Sequence, residues 1–307
     1  MMTTAMWLVL YGGVLACLAP PVLRRMTSSG ISPYMGVAAW LVTIGATLIA
    51  WVVALALVLI AASDSIQQPS AVTLCLELFG FSDHTPLPGR IGTVALAISG
   101  PLALCIVGIR VGRSIAGLRA RSHEHAHAAR IIGRPTGHPN MVVIEAARRA
   151  AYCVVGRPNA IVVTSAAMSS LDRSQLKAVL AHEDAHIAGR HHHILMVLRA
   201  LSTTLPRLPL FAIANDSVAE LLEMCADDAA ARKVGTRPLL DGLLTLAGHH
   251  APLPEGLAAA ATAVVIRAMR LATPTRSHTR WRHRFSLGAA MTAMLTMPAL
   301  IQVLCHH

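Results

Sequence analysis

Three residues in the middle of the chain carry its strongest chemical signal. His182, Glu183 and His186 form an HExxH motif. Residues four apart in a helix share a face, so both imidazoles could bind one Zn²⁺ while Glu183 lies beside the open coordination position as a general base. Residues 179–181 before the motif and Ile187 after it are apolar, which favours a half-buried helix over a solvated helical surface. The pattern therefore indicates metal-assisted hydrolysis.

A catalytic zinc takes three protein ligands and one water, so this motif needs a further ligand. Glu223 lies 37 residues after His186, in the run EMCAD at 223–227. Glu223 and Asp227 are four residues apart and share a helical face. We predict that Glu223 is the third ligand. Asp227 would accept a hydrogen bond from the second nitrogen of a ligand imidazole, which is the usual arrangement around a bound metal.

A second HExxH pentapeptide occupies residues 123–127. It lies in a polar, basic stretch, and the nearest downstream acid, Glu145, follows a break rich in glycine and proline. We expect a solvated helix close to the membrane, without an apolar face to bury, and at most adventitious metal binding.

The composition is typical of a membrane protein. Of 307 residues, 54% are apolar and 13% charged, against roughly 25% charged residues in ordinary soluble domains. Four stretches contain no Lys, Arg, Asp or Glu, and each is long enough to cross a bilayer, which takes about 20 residues in a helix. They are residues 5–23, 34–62, 91–109 and 285–304. We expect all four to span the membrane.

The positive charge predicts the orientation of these spans. The net charge is +11, and 23 of the 26 Lys and Arg residues, with 12 of the 15 acidic ones, lie between residues 110 and 284. The positive-inside rule then places this segment in the cytosol and both termini outside. Residues 110–130 would leave the membrane as a basic helix near anionic headgroups. Aromatic residues make up 4% of the chain, which leaves few groups to stack on bases, and we expect no direct nucleic-acid partner.

The cytosolic segment is expected to be mostly helical after two short strands. The strands are residues 141–144 and 160–164, and residues 146–155 are ambiguous. The second strand could lie at a sheet edge and pair with an extended substrate, or it could be an ordinary buried strand. Helix signals predict a first helix from Ser170 or Asp172 to Gly189 and a second over residues 194–201. A third is capped within residues 215–217 and ends at Gly235, and further helices cover 238–248 and 256–271.

These elements give three parts. Residues 1–109 would hold three transmembrane helices with a short outer loop at 63–90. Residues 110–284 would form a mostly helical α+β domain with the metal motif, and residues 285–307 a fourth transmembrane helix with a short outer tail. The fold class is then a four-span α-helical membrane protein with a domain inserted between spans three and four.

The motif residues in this layout resemble those of a known family. The pattern His182-Glu183-x-x-His186 with Glu223-x-x-Ala-Asp227, between the third and fourth of four spans, is similar to the membrane zinc metallopeptidases of the beta-lactam sensor-transducer (antirepressor) family. Similar motifs occur in membrane zinc endopeptidases of the quality-control and prenyl-protein protease class. The resemblance implies a zincin-like domain in which His182, His186 and Glu223 bind zinc, Glu183 is the catalytic base and Asp227 supports a ligand. Related motifs often carry an Asp or His five residues after the second zinc histidine, where this chain has His191.

The resemblance also implies a function. The chain would be a regulatory zinc endopeptidase in the inner membrane of a bacterium, and its target a cytosolic transcriptional repressor of the winged-helix type, cleaved to release a promoter. A housekeeping protease that clips misfolded membrane proteins is the alternative within the enzyme class. A membrane transducer without catalysis and a basic DNA- or lipid-binding membrane protein are alternatives outside it.

Overall fold

The computed structural model describes residues 2–67, 87–138, 140–156, 158–248, 255–273 and 276–305. Within these ranges the chain is mostly helical, with one small sheet. The helices are α1 (Met2–Thr27), α2 (Pro33–Gln67), α3 (Leu87–Ile132), α4 (Ser165–Ser170), α5 (Arg173–Ala188), α6 (His191–Thr204), α7 (Pro209–Val234), α8 (Thr236–Ala247), α9 (Glu255–Ala272) and α10 (Ser277–Cys305). The strands are β1 (Arg134–Pro135), β2 (Met141–Ile144), β3 (Ala151–Val154) and β4 (Ala160–Thr164).

Three helices in the described part of the chain are long and apolar enough to cross a membrane. They are Thr3–Thr27, Pro33–Ser63 and Ala95–Ile132. The first two predicted spans lie within the first two of these helices, and the third predicted span, 91–109, overlaps the third helix from residue 95. The predicted fourth span, residues 285–304, lies in α10, which is not among the candidates found within the described residues, so four spans stay a prediction. The basic stretch 110–130 continues the third helix without a break, since α3 runs to Ile132. Most of the predicted outer loop 63–90 lies outside the described residues.

The sheet has the strand order β1-β2-β4-β3. β2 and β4 are parallel, and the two outer pairs are antiparallel. β4 is central and every residue in it is buried, so the interpretation of 160–164 as a substrate-binding edge is wrong and that of a buried strand holds. β-branched residues along β4 explain its place, because they bury apolar surface on both faces of the sheet. The edge strands of this sheet are β1 and β3, and β3 lies within the stretch that the sequence leaves ambiguous.

Helix α5 begins with a capping box and ends at a glycine. The Asp172 carboxylate accepts hydrogen bonds from the backbone N–H groups of Ser174 and Gln175, and the Gln175 side chain accepts one from the Asp172 N–H. Both partners satisfy N–H groups that a helix start leaves free. Gly189 ends the helix as predicted, and Arg190 after it is left-handed with φ 52°. This short turn starts α6 at His191, three residues before the predicted start.

Helix α7 is longer than the sequence signals indicate. It begins at Pro209, which takes a first-turn position where its missing N–H costs nothing. The predicted caps at 215–217 therefore lie inside the helix, and this prediction is wrong. The extra turns bury apolar side chains: Leu210 and Phe211 are fully buried.

The first half of α7 packs against the candidate membrane helices. A shared hydrophobic cluster joins buried residues of α1, α2, α6 and α7, with Leu287 of α10. Trp51 of α2 and Phe211 of α7 have ring centroids 6.3 Å apart. The helix that carries Glu223 is thus fixed directly to α1 and α2. The division of the chain at residues 109 and 284 stays a prediction.

Candidate metal centre

Helix α5 brings the two motif histidines onto one face. The Nε2 atoms of His182 and His186 lie 3.1 Å apart. His182 is buried and His186 half-buried. The buried flank formed by residues 178–181 holds α5 against the sheet and α8, because Val179 and Leu180 pack on β4 residues while Ala178 and Ala181 contact Leu239. The two imidazoles lie close together in the last two turns of α5, before the turn at Gly189.

Helix α7 supplies the two acidic residues. A Glu223 carboxylate oxygen lies 3.5 Å from His182 Nε2, and the other lies 3.3 Å from His186 Nε2. Asp227, one turn further, is fully buried, with Oδ1 3.1 Å from His182 Nδ1. The structure thus places the predicted third ligand against both imidazoles and the predicted supporting carboxylate behind one of them.

Arg267 of α9 completes this charge cluster. Its guanidinium donates to both carboxylate oxygens of Asp227, at 2.6 and 2.8 Å, and lies 2.8 Å from Glu223 Oε2. The side chain is 12% exposed. One guanidinium therefore balances two carboxylates that α7 presents one turn apart. Sequence reasoning missed Arg267. It lies 40 residues from Asp227 in an amphipathic helix. Arginines in such a helix are commonly solvated, so the sequence does not indicate a buried ion pair.

The charges fix the protonation states around His182. Burial opposes a charged imidazole, but hydrogen bonding to Asp227 and Glu223 outweighs it and raises the pKa of His182 to about 9. Burial likewise opposes ionisation of Glu223 and Asp227. The histidines and Arg267 outweigh that effect at Glu223, and Arg267 and His182 do so at Asp227, so the pKa of each carboxyl is lowered. Both acids are thus anionic at neutral pH, and without metal His182 carries a proton.

Glu183 lies in a different environment from Glu223. It is 8% exposed, and burial raises the pKa of its carboxyl. It faces Cys153 on the edge strand β3, and burial together with the Glu183 charge raises the pKa of the Cys153 thiol to about 12, so that thiol stays protonated. A carboxylate with a raised pKa beside a sheet edge is suited to accept a proton and return it.

His191 contacts the second motif histidine, His186, on the ring nitrogen that faces away from His182. Its Nδ1 lies 2.9 Å from Nδ1 of His186, and the residue is buried. Burial and the neighbouring His186 lower its pKa to about 4, so the ring is neutral. Gly189 makes room for it, because a Cβ there would overlap the His191 ring. His191 is thus part of the buried site and not a solvated residue of the α6 terminus.

The donor set fits a zinc ion. Among the described residues, His182, His186 and Glu223 form the group whose candidate ligand atoms all lie within 4.8 Å of one another. Two imidazoles and a carboxylate are a usual catalytic zinc set. Both histidines also contact a polar group through their second nitrogen, Asp227 for His182 and His191 for His186, as metal-bound imidazoles do. The three residues could thus hold the metal without rearranging the helices.

The second HExxH lies within α3, away from this cluster. Glu124, His125 and His127 are exposed, as expected. The helix nevertheless buries a small apolar face: Ala126 and Ala129 pack on the sheet with β2, β3 and β4 residues. The expectation of a helix with nothing to bury is therefore wrong, because two alanines suffice for close approach to the sheet.

Comparison with known proteins supports one class of enzyme for the domain. No match was found among curated proteins or among solved structures. Residues 118–248 match the model of peptidase family M48, a segment that contains the predicted ligands, Glu183 and Asp227 but not Arg267. Peptidases of this family are generally zinc-dependent. The match supports a metallopeptidase of family M48.

Proposed function

We propose that the chain is an integral-membrane zinc endopeptidase. The observation that carries this proposal is the convergence of His182, His186 and Glu223 on one point, with the buried Glu183 beside them. The family match on residues 118–248 supports the hydrolase class, and three long apolar helices support a membrane location.

The mechanism follows from the environments of the chain's own groups. Zinc, when bound, supplies a Lewis acid that polarises the scissile carbonyl and makes water more acidic. Glu183 accepts a proton from the attacking water and returns it to the leaving nitrogen, and its raised pKa suits both steps. Asp227 and His191 hold the imidazoles of His182 and His186 in the orientation that exposes their Nε2 atoms.

The substrate would be an extended peptide segment bound along β3. This strand pairs with β4 on one side only, and its Cys153 faces Glu183. Main-chain hydrogen bonds to an edge strand give affinity without demanding much sequence. A peptide bound there would pass next to the catalytic carboxylate.

A regulatory protease with a cytosolic transcriptional repressor as its target is our first candidate. It would lie in the inner membrane of a bacterium with the peptidase domain inside and both termini outside. Its support is the direct packing of α7 on α1 and α2, since a change in these helices would reach Glu223 through one rigid element. A housekeeping quality-control protease is the second candidate. A gene for a winged-helix repressor next to this one favours the first candidate, and its absence favours the second.

The test of the enzyme class compares two neighbouring carboxylates. The chain is purified in detergent, its zinc content measured, and cleavage of an unfolded protein followed for Glu183→Ala and Asp184→Asn. Asp184 is 44% exposed and pairs with Lys233 at 3.8 Å, so it controls for loss of a charge on α5. We expect zinc in all three proteins and cleavage in the parent chain and Asp184→Asn. A parent chain without zinc, or cleavage that survives Glu183→Ala, contradicts the proposal.

A further inference from the structure

A polar cavity that none of the candidate metal ligands lines lies beside the α5–α6 turn. It encloses about 220 Å³ and is lined by side chains of α3, the α5–α6 turn and α6, with Gly156 and Asn159 of the β3–β4 connection. The polar side chains that matter here are Arg119, Ser122 and His123 of α3 with Arg190, His192 and His193. A water in the liquid takes about 30 Å³, so the space suits a phosphate-sized group with a few waters.

The lining is basic. Two arginines face the cavity, and no Asp or Glu is among the described residues that line it. Neither Arg119 nor Arg190 has a carboxylate partner in the described part of the chain. Guanidinium groups without an acidic partner leave their donors free for an anion. They also disfavour a metal cation, so three histidines at this place do not indicate a second metal site.

His192 lines the cavity with one nitrogen paired and the other buried. Nδ1 of His192 is buried and has no hydrogen-bond partner among the described residues, while its Nε2 lies 3.2 Å from Nε2 of His193. Burial and the neighbouring His193 lower the pKa of His192 to about 4. A buried unpaired nitrogen costs free energy unless a ligand or water satisfies it. Nδ1 of His192 is closed to solvent, so the donors that an anion can reach are the guanidinium groups of Arg119 and Arg190, both exposed residues.

Both arginines are exposed, and each belongs to a constrained segment of backbone. Arg119, Ser122 and His123 are spaced at i, i+3 and i+4 and so share one face of α3. Ser122 donates a hydrogen bond to the Val155 carbonyl at 3.0 Å, which fixes α3 to the end of β3. Arg190 takes the left-handed conformation with φ 52°, which is unfavourable for an arginine.

We propose that this cavity is a binding site for a phosphate group, carried either by a phospholipid headgroup or by a soluble phosphate compound. Arg119 lies ten residues after the predicted end of the third span, which is about 15 Å along a helix. Basic cavities close to a membrane helix on the cytosolic side are suited to anionic headgroups. The cavity is separate from the candidate metal centre and its function does not depend on catalysis.

The test measures binding on the full chain in detergent and in vesicles. Inorganic phosphate is titrated by equilibrium dialysis, with and without a zinc chelator, for the parent chain, Arg119→Gln and Arg121→Gln. Arg121 is exposed on the same helix, two positions along, and does not line the cavity, so it is the matched control. In parallel, the chain is reconstituted in phosphatidylcholine vesicles with and without phosphatidic acid, and retention of that lipid is compared.

We expect saturable phosphate binding that survives the chelator, falls about tenfold or more in Arg119→Gln and is unchanged in Arg121→Gln. Retention of phosphatidic acid that depends on Arg119, with weak binding of inorganic phosphate, assigns the site to a headgroup. Binding of inorganic phosphate without lipid retention assigns it to a soluble compound. Absence of both, equal effects of the two substitutions, or binding that disappears with the chelator overturns the proposal.

Discussion

Arg267 and Asp227 form a bidentate ion pair, with Nη2 2.6 Å from Oδ1 and Nε 2.8 Å from Oδ2, and Asp227 is fully buried. The same guanidinium lies 2.8 Å from Glu223. α9 is therefore fixed to α7 at the level of the candidate metal ligands. Charges taken out of water are stable only while they are paired, so each partner depends on the other.

Replacing Arg267 by Met is expected to destabilise the metal-free chain by about 3 kcal/mol. The reason is that the buried Asp227 and its neighbour Glu223 lose the guanidinium and share only the side with His186 and the protonated His182. The measurement is chemical denaturation in detergent with a chelator present. Arg237→Met on α8, where the arginine is exposed, is the control and should change the stability little. Adding Asp227→Asn to Arg267→Met should recover part of the loss. Equal stability of Arg267→Met and Arg237→Met would show that the ion pair contributes nothing.

His191 is expected to set the zinc affinity through His186. If His186 binds metal through Nε2, its Nδ1–H donates to the neutral His191 at 2.9 Å. His191→Leu removes this acceptor and should weaken zinc binding by about 10- to 100-fold. His191→Asn keeps a carbonyl acceptor, so its zinc affinity should fall less than that of His191→Leu. Competition with a chromogenic chelator measures both, with the exposed His193→Leu as control. An affinity of His191→Leu within error of that control would contradict this role.

Zinc binding is expected to depend on pH through His182. Its pKa in the metal-free chain is raised from 6.5 to about 9, so below pH 9 zinc must displace one proton from it. The apparent affinity should rise about tenfold per pH unit from pH 7 and level off above pH 9. The raised pKa also stabilises the metal-free chain, fully below pH 6.5, and this contribution is lost as the pH rises through 9.

Chelator competition at several pH values gives this profile. Asp227→Asn removes one of the two carboxylates that raise the pKa of His182, so its profile should level off at a lower pH. Chemical denaturation of the metal-free chain over the same pH range should show its stability falling as the pH rises, whereas the zinc affinity rises. An affinity independent of pH between 7 and 9 would mean that His182 is already neutral in the free chain.

The sequence predicts which candidate ligands lie close together but not what surrounds them, for a physical reason. His182 with His186, and Glu223 with Asp227, are each four residues apart, so the helical period alone places each pair on one face. Arg267 reaches them only because α9 packs against α7 and α8, and that depends on the whole fold. The same holds for the sheet. The composition of β4 predicts a strand, but which of β3 and β4 lies at the edge depends on long-range pairing.

The contact between Gly30 and α9 leads to the last prediction. Gly30, in the turn between α1 and α2, has φ +60°, and a Cβ there would overlap Met224 of α7 and lie 3.2 Å from Arg270 of α9. Arg270 donates to the Gly30 carbonyl at 2.8 Å and to both oxygens of Asp228. Arg270 and Arg267 are three residues apart on one helical face, so this turn is connected through α9 to the candidate metal centre.

Gly30→Ala should therefore destabilise the chain by about 1–3 kcal/mol through backbone strain and overlap. It should also lower the peptidase activity, because Arg270 and Met224 must shift while Arg267 and Glu223 follow on the same helices. The matched control is Gly13→Ala in α1, where nothing lies within 4 Å of the added Cβ and a helical alanine is favourable. Stability and cleavage rate are measured on both. Loss of stability in Gly30→Ala with full activity per folded molecule would show that the turn between α1 and α2 is not coupled to the metal centre.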